Sequence, residues 1–144
     1  MNTAHHIIAA IDSIASVDQP DSLQKIQQAL DTLFTSPHPE IGIDALFRVL
    51  ERFPDSDGFG VFWSILHGLE ALPNYETRLI QSVQQQPMEF NLIMINRLLN
   101  AGVDEINGVN LVALLDTIAH TPIHRQRARE LARNFAERHR TDEG

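Results

Sequence analysis

Residues 57–102 read DGFGVFWSILHGLEALPNYETRLIQSVQQQPMEFNLIMINRLLNAG, from Asp57 to Gly102. The second half of this stretch decides the fold class. Over 88–101 the apolar residues Phe90, Leu92, Ile93, Met94, Ile95, Leu98 and Leu99 fall almost all round a helix. A helix of that kind has to be covered by neighbours on several sides, so it predicts a helical array with 88–101 in its interior. The first half is different. Over 58–72, Phe62, Ile65, Leu66, Leu69 and Leu72 form one apolar face. The single Trp, Trp63, lies beside that face at i, i+4 and i+7 with His67 and Glu70.

Working outward, helix breakers recur at Pro20, Pro37, Pro54, Pro73 and Pro87, then Gly102, Gly108 and Pro122. The segments between them carry 3.6-residue apolar spacing. They predict helices over 3–16, 20–35, 38–53, 58–72, 75–86, 88–101, 109–120 and 122–140. Ser36-Pro37 and Thr121-Pro122 each place a capping hydroxyl before a proline at the first helical position. Asn74 and Asn107 can cap in the same way, and Gly102 suits a left-handed helix stop. No alternating β-branched run predicts a strand. The phrase Leu50-Glu51-Arg52-Phe53-Pro54 is echoed by Leu69-Glu70-Ala71-Leu72-Pro73. The expected fold is therefore all-α: one domain spanning 1–144, an array of seven to eight antiparallel helices stacked as helical hairpins in a HEAT-like superhelix.

Composition narrows the function classes. The 144 residues hold no cysteine, which excludes disulfides and thiol chemistry. The beginning of the chain has no basic residue before a short apolar run, and no window of about 18 apolar residues exists, so neither a signal peptide nor a membrane span is expected. A cytoplasmic location fits. The formal net charge is −8. Acidic residues dominate up to residue 122, while Arg125, Arg127, Arg129, Arg133, Arg138 and Arg140 make the last helix basic. So acidic a body repels nucleic acid; its charge either serves solubility or favours a basic protein partner. The arginines of the last helix read as a solvated face, or as partners of the acidic body, because no aromatic platform accompanies them.

No catalytic motif is present. Gly58-Phe59-Gly60 lacks both the third glycine and the preceding strand of a dinucleotide loop. His67-x-x-Glu70 has half the spacing of a helical-bundle metal site, without the second set of ligands. His120 and His124 are separated by Pro122. No metal and no cofactor is expected, and the chain does not read as an enzyme. Glu51, Asp55, Asp57 and Glu70 flank the turn at 54–58. They can cap helices, or they can present negative charge to an Arg- and Lys-rich partner. Trp63 with His67 and Glu70 is either a cover for the core edge or a docking stripe with an aromatic anchor. Arg97, Asn91, Asn96 and Asn100 interrupt the most apolar helix and read as structural pairing groups.

Phe62-Trp63-Ser64 through Leu69-Glu70, followed by Asn96-Arg97-Leu98-Leu99-Asn100, resembles small all-helical immunity proteins of bacterial polymorphic toxin systems. These include contact-dependent growth inhibition and Rhs-type toxins. The resemblance covers about a third of the chain. It implies a non-enzymatic cytoplasmic protein that binds a cognate toxin domain and occludes its active site. A basic toxin, such as a nuclease, suits the acidic body. The expected contacts are Glu51, Asp55, Asp57, Trp63, His67 and Glu70. The alternative is a helical-repeat scaffold or adaptor that binds another cytosolic protein or a peptide.

Overall fold

Where the sequence has apolar period-3.6 segments, the chain is helical. The computed structural model describes residues 3–16, 19–54 and 60–143. Among them run α1 (Thr3–Asp12), α2 (Pro20–Phe34), a short 3-10 turn (Pro39–Gly42), α3 (Ile43–Arg52), α4 (Val61–Glu70), α5 (Tyr75–Gln85), α6 (Glu89–Asn100), α7 (Leu111–Ala119) and α8 (Gln126–Glu143). The protein is all-α apart from two two-residue strands, β1 (Glu105–Ile106) and β2 (Val109–Asn110). No helix among the described residues is long and apolar enough to cross a membrane. The chain divides into two compact units, Met1–Arg78 and Leu79–Gly144, with α5 contributing to both.

In the first unit, Pro20 opens α2 at a position where a missing N–H is harmless. The buried stripe of α2 is Ile26, Ala29, Leu30 and Leu33; that of α3 is Ala45, Leu46, Phe47, Val49 and Leu50. Gly42 lets the 3-10 turn lie directly on Leu33, because a Cβ there would sit 2.5 Å from Leu33 Cδ2. The pentapeptide echo marks a shared helix ending. Phe53 N–H donates to Leu50 O at 3.3 Å after α3, and Leu72 N–H donates to Leu69 O at 3.0 Å after α4. Both leucines are buried.

In the second unit, α6 is enclosed as its composition demands. Phe90, Leu92, Met94, Ile95, Leu98 and Leu99 are all buried, while Arg97 and Asn100 face solvent. Its two buried asparagines are fully engaged. Asn91 Oδ1 accepts from Met88 N–H at 2.8 Å, while its Nδ2 donates to Ser82 Oγ at 3.0 Å and Gln86 O at 2.9 Å. This one side chain starts α6 and fixes the turn from α5. Asn96 Oδ1 meets buried His139 Nε2 of α8 at 2.8 Å. The helix ends in a Schellman motif: Gly102 has φ +88°, its N–H reaches Leu99 O, and Val103 N–H reaches Leu98 O. Ala128, Ala132 and Ala136 give α8 a buried small-residue face, and the helix packs on α7 and α6.

Four local expectations are corrected. Residues 105–110 form a hairpin, with Glu105 opposite Asn110 and Ile106 opposite Val109. Asn107 and Gly108 take φ of +50° and +82° in its two-residue turn, so Asn107 is a turn residue and not a cap. The cap of α7 is Asn110, whose side chain accepts from Ala113 N–H at 2.9 Å. Asn74, just before α5, is left-handed at φ +64°, outside the extended backbone usual for a side-chain N-cap. Ser36 and Thr121 close helices instead of opening them: their hydroxyls donate back to Leu33 O and Thr117 O. Pro122 accordingly lies in the loop before α8, which begins at Gln126.

Candidate docking surface

Helix α4 is positioned by its buried face. Phe62, Ile65, Leu66 and Leu69 are each at most 1% exposed. Gly68 allows α4 to approach the Phe34 ring of α2 so closely that a Cβ would fall 2.1 Å from Cζ. With that face fixed, the neighbouring stripe points outward. Trp63 is 41% exposed, one of the few large apolar side chains of the described residues left on the surface. His67 lies one turn on, its ring centroid 6.1 Å from that of Trp63 and tilted 33°. Its side chain is 60% exposed. Glu70 approaches with Oε1 3.9 Å from His67 Nδ1. Trp63 and His67 thus form one exposed patch, with Glu70, its side chain 20% exposed, at the partly buried edge.

Gly68→Ala tests the seating of α4. Alanine favours a helix over glycine by about 1 kcal/mol, but the added methyl must displace the Phe34 ring, at about 1–3 kcal/mol. The expected result is a net loss of stability on thermal melting. In a Phe34→Leu background, which clears the ring tip, the same change becomes neutral or stabilising.

Glu51 belongs elsewhere. Its carboxylate is held by Arg78, with Nη1 to Oε2 at 3.1 Å and Nη2 to Oε1 at 3.0 Å. Arg78 Nε also donates to Asp44, and its guanidinium lies 5.3 Å from the centre of the Phe47 ring. Arg48 joins Asp44 to Asp12, which it grips with Nε at 3.0 Å and Nη2 at 2.9 Å. Arg52 donates to the carbonyls of Ile11, in the last turn of α1, and Ile14, just beyond it. These groups tie α1, α3 and α5 together inside the first unit. Glu51 is thus a member of this structural ion-pair network and not of the Trp63 stripe. Asp55 and Asp57 lie outside the described residues. Asp44-x-x-x-Arg48 was legible as an i, i+4 pair, whereas nothing local joins Glu51 to Arg78.

The hydrogen bond from Arg78 holds the Asp44 carboxyl below its ordinary pKa against the opposing effect of partial burial. A carboxylate whose pKa is lower when folded adds stability that is complete above its unfolded pKa. That stability is lost as pH falls through the folded value. The melting temperature should therefore drop on acidification below about pH 4, and Asp44→Asn should lower the neutral plateau while flattening part of that drop.

Among the described residues no cluster of three or more His, Asp or Glu is placed to hold a metal ion. His120 Nδ1 is instead 2.8 Å from Asp116 O of its own helix. The basic last helix is partly accounted for within its unit: Arg140 pairs with Asp116, Arg129 Nε donates to His124 O, and Arg127 lies 3.8 Å from Glu89. Compared with protein-family models, curated proteins and solved structures, the chain matches none of them.

Proposed function

We propose that this chain is an immunity protein, acting in the cytoplasm, that neutralises a basic toxin domain by stoichiometric docking and occlusion of its active site. The observation that carries the reading is the outward pair of Trp63 and His67, with Glu70 partly buried beside them, on an otherwise well-buried helix of the acidic unit. That unit holds eleven acidic and four basic residues, a formal charge of −7, against eight and seven, or −1, in the second. Its three arginines are already occupied by Asp12, Asp44, Glu51 and backbone carbonyls. The remaining field is therefore negative, which speeds capture of a basic partner. Trp63 supplies the kind of rigid, half-apolar anchor that dominates protein interfaces. Asp55 and Asp57, just before α4 in sequence, add to the formal negative charge of this unit. The protein acts by occupancy, without turnover. The resemblance of the Phe62–Glu70 and Asn96–Asn100 phrases to toxin-immunity proteins supports the same partner class.

Co-expression with the toxin domain encoded beside the gene is the test. Protection of growth and an equimolar complex are expected. Absence of both overturns the proposal and leaves the adaptor reading standing.

A further inference from the structure

A groove of about 380 Å³ runs between α1 and α2, away from the Trp63 stripe in sequence and lined by other residues. Its floor is apolar: Ile7 and Ala29 are buried, and Ala10 lies beside them. The polar groups on its rim are His6, Ser13, Lys25, Gln28 and Thr32. Two of these are turned back onto their own helices. Ser13 Oγ donates to Ala10 O and Thr32 Oγ1 donates to Gln28 O. The groups left to meet a ligand are His6, Lys25 and Gln28.

Lys25 is the only lysine in the chain. The three arginines of the same unit are each gripped by carboxylates, but no carboxylate comes within ion-pair distance of Lys25 among the described residues. Among the described residues of this unit, the Lys or Arg side chain without a carboxylate partner is therefore the one that borders the groove. We propose that this groove binds a small amphipathic carboxylate, with its apolar body on Ile7, Ala10 and Ala29 and its charge at the Lys25 ammonium. Ligand sites begin near this volume and combine an apolar lining with a few orienting polar groups. The negative charge of the unit as a whole opposes an anion. Carboxylates more than about 8–10 Å away are largely screened at physiological salt, however, so the adjacent ammonium decides. The nearest opposing charge by sequence is Asp21, one turn before Lys25 on α2; Asp12 is already neutralised by Arg48 and Arg52.

The test is amide NMR titration with three probes: octanoate, acetate and octylamine. Acetate carries the charge without the apolar body, and octylamine carries the apolar body with the opposite charge. Octanoate should give saturable shifts centred on Ile7, Ala10 and Ala29, with no saturable response to the other two. Lys25→Met, which keeps the alkyl stem, should weaken octanoate at least tenfold. Lys25→Gln, a second surface variant, should do the same. Several results would overturn the proposal: no saturable response to octanoate, equal binding of octylamine, shifts centred elsewhere, or unchanged affinity in both Lys25 variants.

Discussion

Replacing Asn91 with leucine is expected to remove about 3–5 kcal/mol of folding stability. The side chain is fully buried and makes three hydrogen bonds at once, to Met88 N–H, Ser82 Oγ and Gln86 O. Leucine has the same number of side-chain heavy atoms, so no cavity is created; what remains is the Met88 N–H, the buried Ser82 hydroxyl and the part-buried Gln86 carbonyl, each deprived of its bond to Asn91. Each unsatisfied group costs about 1–3 kcal/mol. The loss is a large share of the 5–15 kcal/mol typical of a whole domain. Urea unfolding checks it: the midpoint should fall with the slope unchanged. Asn100→Leu, exposed on the same helix, should stay within about 0.5 kcal/mol. A loss below about 1 kcal/mol for Asn91→Leu would show that the turn between α5 and α6 does not depend on this side chain.

The second large effect concerns Arg78. Arg78→Met should cost about 2–3 kcal/mol. The variant keeps an apolar stem but loses the paired bonds to Glu51, the bond to Asp44 and the contact with the Phe47 face. Arg78 and Glu51 side chains are only 17% and 18% exposed, so removing one leaves the other poorly solvated. The double variant Arg78→Met with Glu51→Gln should recover part of the loss, because no uncompensated charge remains. Additive losses in that cycle would mean the pair does not act as a unit.

The helices were legible because each buries a stripe spaced at 3.6 residues, and the enclosure of α6 followed from its apolar circumference. Gly102 was legible as a helix stop because few residues other than glycine tolerate its φ. Asn107-Gly108 was misread, although Asn-Gly is the strongest short signal for a tight hairpin. Its flanking strands of two residues each are too short to show an alternation. Thr121-Pro122 was misread because a threonine can bond backward to a carbonyl as readily as forward to an N–H.

At the candidate surface, helical spacing placed Trp63, His67 and Glu70 together. Whether that stripe pointed outward depended on Gly68 meeting Phe34, a contact spanning 34 positions in the chain. The loss of Glu51 to Arg78 is of the same kind: a charge looks available in sequence until its distant partner is known.

Trp63 is the only tryptophan, so protein grown with fluorotryptophan carries a single fluorine resonance that reports on α4 alone. Titrating this protein with the toxin domain that the proposed function requires should shift that resonance in proportion to complex formed, and should remove its solvent-isotope response as the ring leaves water. A complex that forms by size exclusion while the resonance and its isotope response stay as in the free protein would contradict docking through Trp63.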